Sequence, residues 1–520
     1  SVPINAPFQY DDQKVILKPS EIRTLNIVEI FWKNPFRFLL NLTFALNFFL
    51  TGLSPAGFRV FNILLHIENT VLFYFLFSRL ENIFLKKEED ADFFSPANLS
   101  ALLFALSPLM VESVTYISGR SELLCAFFLF LTLHFFLSFM EKANSFYLIP
   151  AVIFAASSLL SKERGGVLFF LIFLIIAIAP SKHRKTRIVY SLISFLLLFL
   201  FYFIFRQNYL GNTFETGFER DFKRQVLYQG DAQIKNLRLL LLPINLCVLY
   251  PNYFSSHYPF VRFFILIAII IVSIFFTFWA IPKYKKMIFF CWSWFYILLA
   301  PNIIVPLQDI VADRWLYLPS AGFFYMIMLI ICEGLKKNKF SYISKIAVSL
   351  VLLMMLSLSV DRNFVWLTEI SLWQDAVKKA PASPRTYNNF GVALGKEGRL
   401  EEAVGNFLMS VSIDKNYSPA WANLGLASKK LGDEKGVLTA AASLLNCGNY
   451  YSQKGMIKEA IISYKSALDL VPDSIGAMGN LASIYMFIGK TDEARRYLKK
   501  LLEIAPSNKA AQNMLANIGE

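Results

Sequence analysis

The sequence predicts an all-α protein in two parts: a polytopic transmembrane helical domain, then a soluble α-solenoid. Three observations carry this. The 520 residues are 56% hydrophobic and include 52 Phe, with a mean hydropathy of +0.49, where a soluble domain is about 45–50% apolar. Apolar runs with few charges recur up to Asp361, and about 20 such residues cross the hydrocarbon of a bilayer. From Pro384 the pattern changes, and residue types recur at a spacing of 34.

Charge and cysteine usage exclude several classes. Net charge is +14, but 16 basic and 13 acidic residues follow Ala382, a net of only +3. The excess therefore belongs to the membrane half, where basic loops set topology, and nucleic acid is not an expected partner. Cys125, Cys247, Cys291 and Cys332 lie in or beside apolar segments, and Cys447 lies in the tail. With no C-x-x-C, neither a disulfide framework nor a thiolate metal site is expected. The four histidines are far apart, so no metal site is expected from them.

Residues 1–57 are expected to form an extracytoplasmic first loop with an interfacial helix. The opening is polar, lacks a signal-peptide core and does not begin with Met. It is read as a fragment, or as a chain that has lost a first apolar segment. It carries Phe8-Gln9-Tyr10-Asp11-Asp12. A carboxylate pair there suits either a general base at the membrane surface or the solvated end of a turn. Arg37 to Leu53 is apolar but contains Asn41, Thr43 and Asn47, so it lies in the interface or packs inside a bundle. Ser54-Pro55-Ala56-Gly57 ends it.

The membrane domain is expected over 58–362. Ten spans are predicted, near 58–80, 97–116, 121–140, 146–161, 165–180, 188–206, 260–281, 287–305, 315–335 and 341–361. Residues 236–250 are too short to cross and are read as re-entrant or interfacial. Alternate loops are basic, at Arg79/Lys86/Lys87, Lys142, Lys182–Arg187, Lys283–Lys286 and Lys336–Lys339, which assigns them to the cytoplasm. The first loop, 118–120, 161–164, 207–235, 308–314 and the tail then share the outer face.

On that face lie Arg120 and Glu122, Lys162 with Glu163 and Arg164, and Asp313 with Arg314 ahead of Trp315-Leu316-Tyr317. Singly, such residues anchor a helix at the interface. As a set beside hydrocarbon they form a candidate site. Cations suit displacement at a lipid phosphate, because the leaving group is already an anion. The incoming hydroxyl needs a base, and Asp11 or Asp12 is the candidate.

In the tail, 363–520, Tyr387, Asn389, Gly391 and Gly398 recur as Trp421, Asn423, Gly425 and Gly432. Gly455, Ala460 and Pro472 recur as Gly489, Ala494 and Pro506. This is the tetratricopeptide pattern. Gly391, Gly425, Gly448, Ala403, Ala460 and Ala494 are the expected helix-packing positions. The third unit begins about 23 residues after the second, so the middle unit is shortened or distorted. Leu372-Trp373-Gln374-Asp375-Ala376 and Pro381 resemble the second helix of an earlier half repeat. Such arrays present a concave face to peptides or proteins.

Taken in order, these motifs resemble the transmembrane, tetratricopeptide-containing glycosyltransferases, relatives of protein O-mannosyltransferases with the GT-C fold. The resemblance rests on Tyr10-Asp11-Asp12, Asn41 to Asn47 with Asn62 to His66, and Pro108 to Leu124. It continues through Leu160-Ser161-Lys162-Glu163 and Arg314 to Ser320, and ends in the repeats. It implies inverting transfer of a sugar, mannose or a similar hexose, from a polyprenyl- or dolichyl-phosphate donor to a protein hydroxyl. It implies Asp11 as base, with Asp12 as alternative, and a donor site at Arg120, Lys162, Arg314, Glu122, Glu163 and Tyr317. It implies no metal or cofactor, membrane lipids and an acceptor protein held by the repeats as partners, and a bacterial inner membrane or endoplasmic reticulum. Arg164-Gly165, Trp315, the short array and the missing first span depart from the family pattern. The competing expectations are a non-enzymatic membrane scaffold, in which the charges are dispersed anchors, and a transporter.

Overall fold

The computed structural model describes residues 3–518 except 86–92, 143, 179–183, 211–221, most of 251–281, 306 and 337–340. It is 84% helical, with no strand among the described residues. Two compact units divide between Thr368 and Glu369.

In the membrane unit, α1 (Ile27–Lys33) is capped by the Asn26 side chain, which accepts from the Glu29 amide. Helix α2 (Phe38–Thr51) is two-faced. It buries Asn41, Phe44 and Ala45 and leaves Phe49 and Leu50 more than 70% exposed, as a helix facing lipid or an interface does. Then come α3 (Pro55–Leu85), α4 (Pro96–Leu106), α5 (Val111–Thr115), α6 (Arg120–Lys142) and α7 (Leu148–Ser161). They are followed by α8 (Leu168–Ile178), α9 (Arg184–Leu210), α10 (Phe222–Leu241), α11 (Lys285–Ile304), α12 (Tyr317–Lys336) and α13 (Ser341–Val365).

Six described helical stretches have the length and apolarity of a membrane span: Pro55–Leu85, Ile117–Lys142, Thr186–Tyr209, Lys285–Ile304, Asp313–Gly334 and Lys345–Val365. A seventh is broken, with Pro96–Leu106 meeting Pro108–Thr115 at 51°, where Ser107 and Pro108 interrupt the backbone ladder. The count is below the ten of the sequence reading for identifiable reasons. Helices α7 and α8 have 14 and 11 residues, short of the roughly 20 that hydrocarbon requires, because residues 162–167 break between them. The stretch 260–281 lies mostly outside the described residues. Residues 222–235, read as loop, belong to α10, which runs to Leu241 before an irregular segment that buries Leu246 to Tyr250.

The repeat unit stacks α14 (Glu369–Lys379), α15 (Pro384–Lys396), α16 (Leu400–Ile413), α17 (Ser418–Leu431) and α18 (Glu434–Gln453). It continues with α19 (Ile457–Leu470), α20 (Ile475–Phe487), α21 (Thr491–Ile504) and α22 (Lys509–Ile518). Gly391 lies so close to Phe407 and Ala403 that a Cβ there would meet them at 2.6 and 3.0 Å. Gly425 and Gly448 stand similarly against Leu470 and Tyr464. Ala403, Ala460 and Ala494 are fully buried. Four turns are closed by left-handed Gly398, Gly432, Gly455 and Gly489. The short interval from Gly432 to Gly455 has a structural cause. The 20-residue α18 packs on both α17 and α19, so one helix serves as the second helix of one unit and the first of the next.

Candidate active site at the start of helix α6

The polar opening is held by a buried arginine. Arg59, in the first turns of α3, donates to the carbonyls of Ile4, Ala6, Pro7 (2.8 Å) and Thr115 (3.0 Å). Within the anchored segment Tyr10 has φ +54°, a left-handed conformation that costs a non-glycine residue about 1–3 kcal/mol. Beyond this bend, the two carboxylates have opposite fates.

Asp12 is fully buried. It accepts from the Ser118 amide (2.8 Å), the Ser118 hydroxyl (2.5 Å) and the Gln9 amide (3.2 Å). Burial pushes its carboxyl up to about 6, against those hydrogen bonds and the Arg59 charge. Asp11 keeps 44% of its side chain exposed. It accepts from the Tyr116 hydroxyl at 3.4 Å and has Lys14 Nζ at 3.9 Å. The turn presenting Tyr116 and Ser118 needs Gly119, whose Cβ would stand 2.6 Å from the Ser113 carbonyl.

The cations divide by what they touch. Arg314, 20% exposed, pairs with buried Glu112 through side chain and amide. It lies within electrostatic range of Tyr116 and Tyr10, the residues around Asp11. Glu122, one helical turn after Ser118, pairs with Lys162 and with Arg164 (3.2 Å), and it too feels Arg314. Lys162 keeps 16% of its side chain exposed. Burial pulls it down to about 8, against the upward pull of Glu122. Arg164 is 4% exposed and tied to the Trp315 carbonyl (3.1 Å) and the Asn302 side chain (2.7 Å). A discontinuous charge ladder is thus set out around the start of α6: Asp11 near Lys14, Arg314 on Glu112, and Glu122 with Lys162 and Arg164.

Three expected donor residues are used otherwise. Arg120 is buried, bonded to Asn62 (2.8 Å) and the carbonyls of Phe58 (2.9 Å) and Thr43 (3.2 Å), and covered by Phe44 and Phe61. Its donors are spent on the fold. The Tyr317 hydroxyl points into the core, bonded to His66 (2.8 Å) and Asn69 (3.2 Å). Glu163, next to Lys162, turns the other way to Arg37 (2.8 Å) and Arg206 (3.6 Å), because Lys162 is extended at φ −160°.

The end of α13 completes the surroundings, which sequence reasoning missed. Trp366 stacks on Tyr116 with centroids 5.7 Å apart. Gln9 donates to the Trp366 carbonyl (2.8 Å), and Thr115 donates to Asn363 (2.7 Å). Arg362 stands 3.5 Å from Asp313, itself bonded to Tyr250. The available signal was polar residues closing an apolar span; their partners lie 248 to 357 positions away.

Fold and charge ladder define a class: polytopic helical membrane proteins that carry a tetratricopeptide tail. Residues 38–205 match the family described as dolichyl-phosphate-mannose-protein mannosyltransferase, and residues 452–518 match a tetratricopeptide repeat family. A protein O-mannosyl-transferase of Caenorhabditis elegans is 28% identical over 74% of this chain and 54% of its own length. Protein O-mannosyl-transferase TMTC3 of Homo sapiens is 24% identical over 97% of this chain and 59% of its own. The chain is thus similar, over these regions, to membrane mannosyltransferase domains joined to tetratricopeptide repeats. It spans little more than half the length of the curated relatives it matches. Among solved structures, the crystal structure of MamA protein is 22% identical, covering 29% of this chain and 85% of that one, with a TM-score of 0.15.

Proposed function

We propose that this chain is a glycosyltransferase that moves a hexose, mannose by analogy with its relatives, from a polyprenyl- or dolichyl-phosphate donor to a Ser or Thr hydroxyl of a protein. The observation that carries this is the half-exposed Asp11 carboxylate, which accepts from Tyr116, with Arg314 within electrostatic range of Tyr116 and of Glu122, the partner of Lys162. Asp11 accepts the proton of the hydroxyl as its oxygen attacks the anomeric carbon from the face opposite the phosphate. The bond from that carbon to the phosphate oxygen breaks with inversion. The lipid phosphate departs as an anion, held by the partly exposed Arg314 and Lys162. Asp12 is the anchor that aims Asp11. The repeats bind the acceptor, and the first loop and tail share the extracytoplasmic side, in the endoplasmic reticulum by analogy with the animal relatives.

Proteoliposomes containing dolichyl-phosphate [3H]mannose and an acceptor protein test this. Asp11→Asn is expected to lower transfer by about 10²- to 10⁴-fold, the usual weight of a general base, with folding intact. Unchanged turnover rejects the assignment. The donor carries its own leaving group, so no metal is invoked, and EDTA is expected to leave transfer unaltered. Labelling of single cysteines in the tail from the cytoplasmic side would overturn the orientation.

A further inference from the structure

A hollow of about 850 Å3 lies at the far end of α3 and α6 from the candidate site. It is walled by Leu72, Phe75 and Ile83, with Arg79, His134, Ser138, Glu141 and Lys142 at its floor and rim. Ser138 follows Ser118, the partner of Asp12, by twenty residues. At about 1.5 Å per residue that is roughly 30 Å, the thickness of the hydrocarbon. The hollow therefore sits at the opposite membrane boundary from the charge ladder.

Its floor is prearranged. Arg79 is bonded to the His134 carbonyl (2.9 Å), the Ser138 hydroxyl (3.1 Å) and both Glu141 oxygens (2.7 and 3.2 Å). That pair is neutral, so Lys142, which leans on the Tyr147 hydroxyl at 3.1 Å, leaves the hollow net positive. The Tyr74 phenol, Ser78 hydroxyl and Asn82 amide line the same space and make no hydrogen bond among the described contacts. Along α3, Val60, Leu64, Ile67, Val71 and Phe75 are 43–54% exposed. Their spacing puts them on one helix face, and the stripe ends at Phe75, in the wall of the hollow.

We propose that this hollow binds the phosphodiester headgroup of an anionic glycerophospholipid, with its acyl chains laid along the exposed stripe of α3. Uncommitted donors and one surplus cation suit a phosphodiester, and the apolar track suits its tails. The site is independent of sugar transfer.

The test is native mass spectrometry of the full chain, purified in detergent and offered phosphatidylglycerol and phosphatidylcholine together. The wild type is expected to retain one phosphatidylglycerol in preference. Lys142→Gln, at an exposed position, should reduce that preference about fivefold, the usual weight of one lysine at an anionic headgroup. Ser78→Leu with Asn82→Leu should remove two of the uncommitted donors and narrow the hollow, lowering retention, and if that variant does not fold, Lys142→Gln alone decides. Equal retention of the two lipids, or retention unaffected by Lys142→Gln, overturns the proposal. So does displacement by inorganic phosphate, which would mean a free-anion site.

Discussion

In the membrane unit, Asp12, Arg59, Glu112, Arg120, Glu122 and Asp313 are each at most 1% exposed. In the repeat unit, the fully buried positions are dominated by Ala403, Ala420, Ala440, Ala460, Ala467, Ala477 and Ala494, and its buried polar residues are hydroxyls and an amide. The first unit takes charge out of water and must pair it, at a desolvation cost of several kcal/mol per ion. The second lets small residues bring helices together and leaves its ion pairs on the surface. Charge is therefore structural in one unit and decorative in the other.

The contrast is sharpest at the ion pairs. Glu122→Gln leaves buried Arg164 and partly exposed Lys162 side by side without their carboxylate, and a loss of about 3–5 kcal/mol is expected. Glu402→Gln, which breaks the exposed Arg399–Glu402 pair in the tail, should leave the melting point unchanged. Equal effects of the two would dissolve the distinction. Next comes pH. The Asp12 carboxyl rises on folding from 3.8 to about 6, so the folded chain binds the extra proton between these values. Stability contributed by Asp12 is thus complete below pH 3.8 and is lost as pH rises towards 6, by at most about 3 kcal/mol. Thermal midpoints of wild type and Asp12→Asn across that range should converge on the acid side. A wild type that gains on the variant with rising pH contradicts the burial argument. Smallest are the glycines. Gly391→Ala meets Phe407 and the Ala403 carbonyl and should cost about 1–3 kcal/mol. Gly405→Ala, with nothing within 4 Å, should gain about 0.5–1 kcal/mol from helix propensity. Calorimetry of the two variants checks the sign.

This same contrast explains what the sequence disclosed. Tail packing is local, so a spacing of 34 between Gly398 and Gly432, or Gly455 and Gly489, already fixes which helices touch. The interval of 23 was visible too, but the single shared helix α18 that produces it was not. In the membrane unit, charged residues beside apolar runs marked Lys162 and Arg314, because such residues cannot be there without a partner or a task, while Asp11 was marked only as half of a carboxylate pair in a polar opening. Residue type could not separate them from Arg120, which meets carbonyls of Thr43 and Phe58 that carry no sequence mark. Nor could it distinguish adjacent Asp11 and Asp12, a choice made by the backbone bend at Tyr10. Arg59 was detectable as an ionisable residue at the head of an apolar helix, but its duty to the carbonyls of residues 4, 6 and 7 was not.

Helix α13 finishes among the partners of the opening segment, with Asn363 on Thr115 and Trp366 on Tyr116. Anyone dissecting the protein into halves should respect this. Scissors placed at 362, where hydropathy falls away, would strip the floor from beneath Tyr116 and Gln9, and the resulting inactivity would be wrongly blamed on the missing repeats. Scissors placed after Thr368 spare those contacts and ask the intended question.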